Sequence, residues 1–199
     1  MNTITTTLVT EAIFSDNNLK RYLLRKTWDT SLPKLTICML VPSSASGVEL
    51  DSTTSLVLNN ASALGFGSVS IVNLFATLGD FTLSVVEEKD PENMDAILEA
   101  VKSADVCIYA PGVGKAKLQV FQDRSKQVLE ALRPYEHKLK CLASASGKSK
   151  LLHPLCPAVR TWNIAELRID ELLPKTDTVE PKLSKKKGRP MVIKKEASA

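Results

Sequence analysis

The sequence predicts an α/β fold: a three-layer sandwich around a mostly parallel four-stranded sheet, with an antiparallel hairpin in front of it. Two observations carry this. Short apolar runs alternate with helix-patterned segments, each pair punctuated by Pro or Gly, and a cluster of turn formers divides two strand-like runs near the N-terminus. The composition agrees. A chain of 199 residues that is 44% hydrophobic, 24% charged and 5% aromatic suits one soluble domain with a modest appendage, and excludes collagen-like, wholly disordered and disulfide-scaffold classes.

Each element has a local reason. Residues 6–14 and 19–28 are strand-like and flank Ser15-Asp16-Asn17-Asn18, which predicts the hairpin. Residues 35–41 form a continuous apolar run, as in a strand covered on both faces, and stop at Pro42. A helix is expected over 53–64, with Asp51 or Ser52 as its cap and Gly65 as its stop. Residues 69–73 are the next strand. Asp90 then caps a helix to about Ser103, with Pro91 at its first position, where a missing N–H costs nothing. Residues 106–110 are the third buried strand, 118–132 its helix, and 139–143 a weaker fourth strand. Asn163 is expected to cap a last helix over 164–173 before Pro174.

Charge divides the chain. From Pro174 onward eight basic residues face three acidic ones, so this segment carries +5 of a total of +4 and the first 173 residues sum to −1. Residues 1–173 are therefore read as a single α/β domain and 174–199 as a basic disordered arm, too poor in apolar surface to offset the entropy of ordering. No apolar run approaches a membrane span, and Glu11 interrupts any signal-like start, so a cytoplasmic protein without a membrane association is expected. Cys38, Cys107, Cys141 and Cys156 are scattered, which predicts free thiols and no zinc ribbon. His153 and Cys156 alone do not make a metal site, and neither a metal nor a cofactor is expected.

In open parallel sheets the ligand crevice lies beyond the carboxyl ends of the strands. Here those ends carry Pro42, Ser43 and Ser44, then Asn73, then Gly112 and Gly114, and last His153, and these are the candidate ligand-binding residues. Small residues let backbone approach a ligand, and His153 with Pro154 can present an imidazole at that edge; a hydrogen-bonded structural histidine fits equally well. Two motifs fail on spacing. Gly147-Lys148-Ser149 has Leu142 where a phosphate loop needs Gly, and Gly112-Val113-Gly114 has Lys117 where a dinucleotide fingerprint needs its third Gly. In the arm, Lys185-Lys186-Lys187-Gly188-Arg189-Pro190 resembles an AT-hook, whose Gly-Arg-Pro core lies in the narrow minor groove of A·T-rich duplex DNA; a solubilising basic tail is the alternative.

Several segments together resemble the bacterial and phage family called domain of unknown function 1643. They are the stretch 21–28 ending in Thr27-Trp28, Met39-Leu40-Val41-Pro42-Ser43-Ser44-Ala45, Gly65-Phe66-Gly67-Ser68, Asn73-Leu74-Phe75-Ala76, Asp90-Pro91-Glu92-Asn93 and His153-Pro154-Leu155. The chain departs from that pattern at Val41, where the family has Asn, at Tyr109-Ala110-Pro111, and in the helix after Asp51, which lacks paired arginines. In motif layout the family is similar to the uracil-DNA glycosylase superfamily, and this implies a glycosylase-like sandwich. The resemblance implies that Pro42 lies in the loop after the first strand, that Asn73 reads an extruded base with its amide, and that His153 stabilises charge on that base. Asn73 and His153 are then the candidate catalytic residues of a base excision or related nucleobase reaction, in a nucleic-acid-associated protein. Two readings stand beside it: a non-enzymatic interaction module that meets a protein partner through its surface and tail, and a small-metabolite or nucleotide enzyme.

Overall fold

A computed structural model describes residues 1–43, 45, 47–79, 90–114, 117–147 and 150–173. The expectations for Ser44, for Lys148 and Ser149, and for the basic arm with its Lys185–Pro190 motif lie outside the described residues.

The hairpin forms from β1 (Val9–Phe14) and β2 (Arg21–Thr27), with Asn18 in the left-handed region at φ 57° in the turn. Then follow β3 (Lys34–Met39), α1 (Ser52–Ala63), β4 (Ser68–Asn73), α2 (Pro91–Ser103), β5 (Val106–Tyr109), α3 (Gln119–Ala131) and β6 (Leu139–Leu142). β4, β3, β5 and β6 are neighbours in that order and parallel throughout. This is the expected parallel core. The sheet is larger than that core, however: β2 pairs antiparallel with β4, so the hairpin extends the same sheet, which has seven strands in the order β1-β2-β4-β3-β5-β6-β7.

The seventh strand corrects an expectation. The segment read as a last helix starts instead as β7 (Ile164–Glu166), antiparallel to β6, and only Ile169–Leu172 turns as a short α4. Asn163 caps nothing; its side-chain amide donates to the Ser144 carbonyl 3.0 Å away. The open edge of β6 decides the matter, because Lys140, Cys141 and Leu142 offer backbone groups that an added strand satisfies and a helix would leave unpaired.

Alternation along the central strands gives the sheet two apolar faces. On one, Cys38, Val72, Cys107 and Tyr109 meet Ile97 and Val101 of α2 and Phe121, Val128 and Leu129 of α3. On the other, Ile37, Met39, Ile71 and Ile108 meet Val57 and Ala61 of α1 together with Val159 and Trp162. Each such side chain contributes roughly 1.5 to 3 kcal/mol when fully buried. Asn60 fastens the second layer: its amide donates to the Arg160 carbonyl at 3.0 Å and its oxygen accepts from the Trp162 N–H at 3.0 Å. Caps fall where expected, with Asp51 accepting from the Thr54 N–H at 2.7 Å and Asp90 from the Asn93 N–H at 3.0 Å. No helix among the described residues is long and apolar enough to cross a membrane.

Candidate functional site

The strand order reverses at β3. From it the chain passes through α1 to β4 on one side and then through α2 to β5 on the other, so a crevice opens beyond the carboxyl ends of β3 and β5. A groove of about 390 Å³ lies there, lined by Leu40 after β3, by 111–114 after β5, and by Leu152, His153, Leu155 and Cys156. Gly112, Gly114 and His153, predicted from widely separated segments, are thus brought together.

Gly112 is required twice over. It sits at φ +80°, and a Cβ there would stand 3.1 Å from His153 Cβ. Gly114 faces open space. His153 Nδ1 accepts the Leu155 N–H at 3.2 Å, so in the neutral ring the proton is on Nε2 and that nitrogen is the donor. Burial lowers the His153 pKa, and the negative charge of Asp51 works in the opposite direction. Asp51 was legible only as a cap. Its carboxylate also accepts the Ala45 N–H at 3.2 Å; burial opposes its charge, yet the Thr54 and Ala45 amides help to outweigh that and hold its pKa below the usual value.

The other predicted residues form a second, buried tier. Asn73 ends β4 in register with Met39 and is only 1% exposed, so it does not stand in the open crevice as expected. Among the described residues neither its Oδ1 nor its Nδ2 has a hydrogen-bond partner. Its main chain, by contrast, is firmly held: Asn93 Nδ2 donates to the carbonyls of Asn73 (3.1 Å) and Leu74 (3.0 Å), and Arg124 Nε to that of Leu74 (2.8 Å). Pro42 is buried and Ser43 half-buried in the loop above.

Sequence reasoning missed the group beneath that loop. Arg21, on β2, is 1% exposed and its Nη1 donates to the carbonyls of Ser43 and Ala45. Lys26, also fully buried, donates to Thr10 Oγ1 at 2.9 Å and to the Gly47 carbonyl. Burial lowers the pKa of both. The available signal was the pattern Arg21-Tyr22-Leu23-Leu24-Arg25-Lys26, in which cations interrupt an otherwise core-facing strand. Among the described residues no group of three metal-ligating side chains occurs, and Cys38, Cys107 and Cys141 are buried thiols.

Comparison with curated proteins and with solved structures returned no match. A family model does match, described as "Protein of unknown function (DUF1643)", over residues 21–155. That span starts at Arg21, ends just beyond His153, and contains both tiers of the site. The chain belongs to the DUF1643 family.

Proposed function

We propose that this is a nucleic-acid-associated protein whose crevice at the carboxyl ends of β3, β4 and β5 receives a base or nucleotide, in a layout similar to the uracil-DNA glycosylase superfamily. One observation carries the reading: the Asn73 side chain is buried with both its donor and its acceptor unpartnered. Leaving such a group unpaired costs about 1 to 3 kcal/mol, a cost that a ligand offering the complementary donor and acceptor would offset. A pyrimidine edge offers that pair. His153 supports the reading, because its Nε2–H is suited to a carbonyl oxygen of the same ring and to the charge that would develop there if the glycosidic bond broke. Each Asp51 oxygen already accepts one amide, from Thr54 and from Ala45, and no residue is assigned here to orient a water. Base recognition is therefore the primary claim, and excision would depend on the positions of His153 and Asn73. The basic arm supplies the nucleic-acid contact.

The test uses Asn73→Leu, which removes both polar atoms and keeps the number of side-chain heavy atoms and the branch at Cγ. Recognition predicts that this variant is as stable as the parent chain or more so, while binding of pyrimidine nucleosides and uracil-containing single strands falls by at least about tenfold. Loss of stability with unchanged binding would make the amide structural and end the proposal.

A further inference from the structure

Arg21 places a full positive charge inside the protein, and no described acid pairs with it. Among the described residues no carboxylate lies within ion-pair distance of Arg21 or Lys26, and Asp51 acts on Arg21 only through its field. Two carbonyls serve Nη1, but Nε and Nη2 are both buried and without a partner. These two nitrogens form the guanidinium edge whose parallel N–H bonds match two oxygens of a carboxylate or phosphate. Topology sets this edge near Asn73. β4 lies between β2 and β3, neighbouring strands are about 4.8 Å apart, and a side chain that starts on β2 and reaches the loop after β3 must cross the end of β4, where Asn73 is. The strand order thus places two buried side chains with unmet hydrogen-bonding capacity at neighbouring strand ends.

We propose that the Nε–Nη2 edge of Arg21, beside the Asn73 amide, is a receptor for a two-oxygen oxyanion, a phosphate or carboxylate group of the molecule that enters the crevice. The hydrogen bonds of Nη1 need not break, because it keeps its carbonyls while the opposite edge takes the oxyanion, although the packing that buries that edge must open to admit it. An anion there would also compensate a charge whose burial is otherwise costly. The proposal goes beyond base recognition, and the two fail separately.

The test is a titration of the full ¹⁵N-labelled chain, at constant ionic strength, with inorganic phosphate, acetate, a pyrimidine nucleoside and its 5′-monophosphate, each equilibrated before reading. The expected result is a saturable shift of the Arg21 Nε–H signal with phosphate or acetate, at concentrations that leave the more exposed Arg25 and Arg133 unmoved. The nucleoside 5′-monophosphate binds more tightly than the nucleoside if the oxyanion belongs to a nucleotide, and no more tightly than inorganic phosphate if it does not. Arg21→Lys keeps the charge but not the fork and should weaken binding by roughly tenfold. Should Arg21→Lys fail to fold, Asn73→Leu replaces it, with a several-fold loss expected. An Arg21 signal indifferent to all three anions overturns the oxyanion site even if the nucleoside binds. Anion binding with no nucleoside binding upholds it while removing the base reading.

Discussion

His153 shows how one side chain joins the two tiers. Its Nδ1 is occupied by the Leu155 N–H, its Cβ lies over Gly112, and its charge state feels Asp51, which in turn acts on Arg21. Because burial depresses its pKa in the folded protein, the unfolded chain takes up the proton first as pH falls. The stability linked to His153 is therefore complete above its ordinary value of about 6.5 and is lost as pH falls from there through the lower folded value. Urea midpoints measured between pH 7.5 and pH 5, roughly the range over which an unperturbed histidine titrates, should fall for the parent chain. The slope should flatten in His153→Asn, whose side-chain oxygen can still accept the Leu155 N–H. Equal slopes in the two proteins would mean that His153 is not protected from protonation. The histidine's place beside the β5 turn was legible from position alone, since a His-Pro after the last parallel strand must fall on the crevice edge. The companion cations Arg21 and Lys26 were not, because on β2 a charged residue at an inward position reads the same as one on an exposed face until the pairing partner is known.

Among the elements, the family-like segments turn out to be joints of the fold as much as parts of a site. Asp90 caps α2, Glu92 accepts the Tyr22 hydroxyl, and Asn93 clamps the carbonyls at the end of β4, so one short segment ties α2 to two strands. Gly65 and Gly67 separate the two reasons for a glycine. Gly65 follows α1 at φ +81° with open space around it, whereas a Cβ on Gly67 would lie 1.9 Å from the Asp29 carbonyl oxygen. That close approach exists because the Gly67 carbonyl accepts the N–H groups of Trp28 and Asp29 at 2.9 and 3.0 Å, and the Gly67 N–H donates to Pro33. Gly65→Ala should cost about 1 kcal/mol, from backbone strain alone. Gly67→Ala should cost about 3 kcal/mol or more, because backbone must move. Chemical denaturation of the two variants checks the order, and equal costs would show that the crossing of 29 over 67 is looser than described. The helix caps were readable from sequence because capping is local. β7 was not, because Ile164-Ala165-Glu166 becomes a strand only through the unpaired edge of β6, twenty-odd residues earlier in the chain.

At the scale of the whole molecule, charge and architecture point to a division of labour. The first 173 residues are nearly neutral, build the crevice, and hold two buried cations against the carbonyls of one loop, whereas the surplus positive charge is concentrated from Pro174 onward. A neutral domain has little long-range attraction for a polyanion, so duplex affinity should come from the arm and selectivity from the crevice. The full chain is expected to bind duplex DNA with an affinity that falls steeply as salt rises, since each lysine–phosphate contact releases counterions, and a 1–173 truncation should lose most of that salt-dependent term. If the Gly188-Arg189-Pro190 core enters a narrow minor groove, Arg189→Ala should cost more on A·T-rich than on G·C-rich duplexes, whereas a merely solubilising tail would lose equally little on both. The truncated domain should still discriminate an unpaired or modified base from a paired one, weakly but with little dependence on salt, because the proposed readers, Asn73 and His153, carry no charge when neutral. Fluorescence anisotropy of both chains on single-stranded, duplex and uracil-containing DNA at several salt concentrations separates the terms. Selectivity that vanishes together with the arm would leave the crevice to a ligand other than nucleic acid.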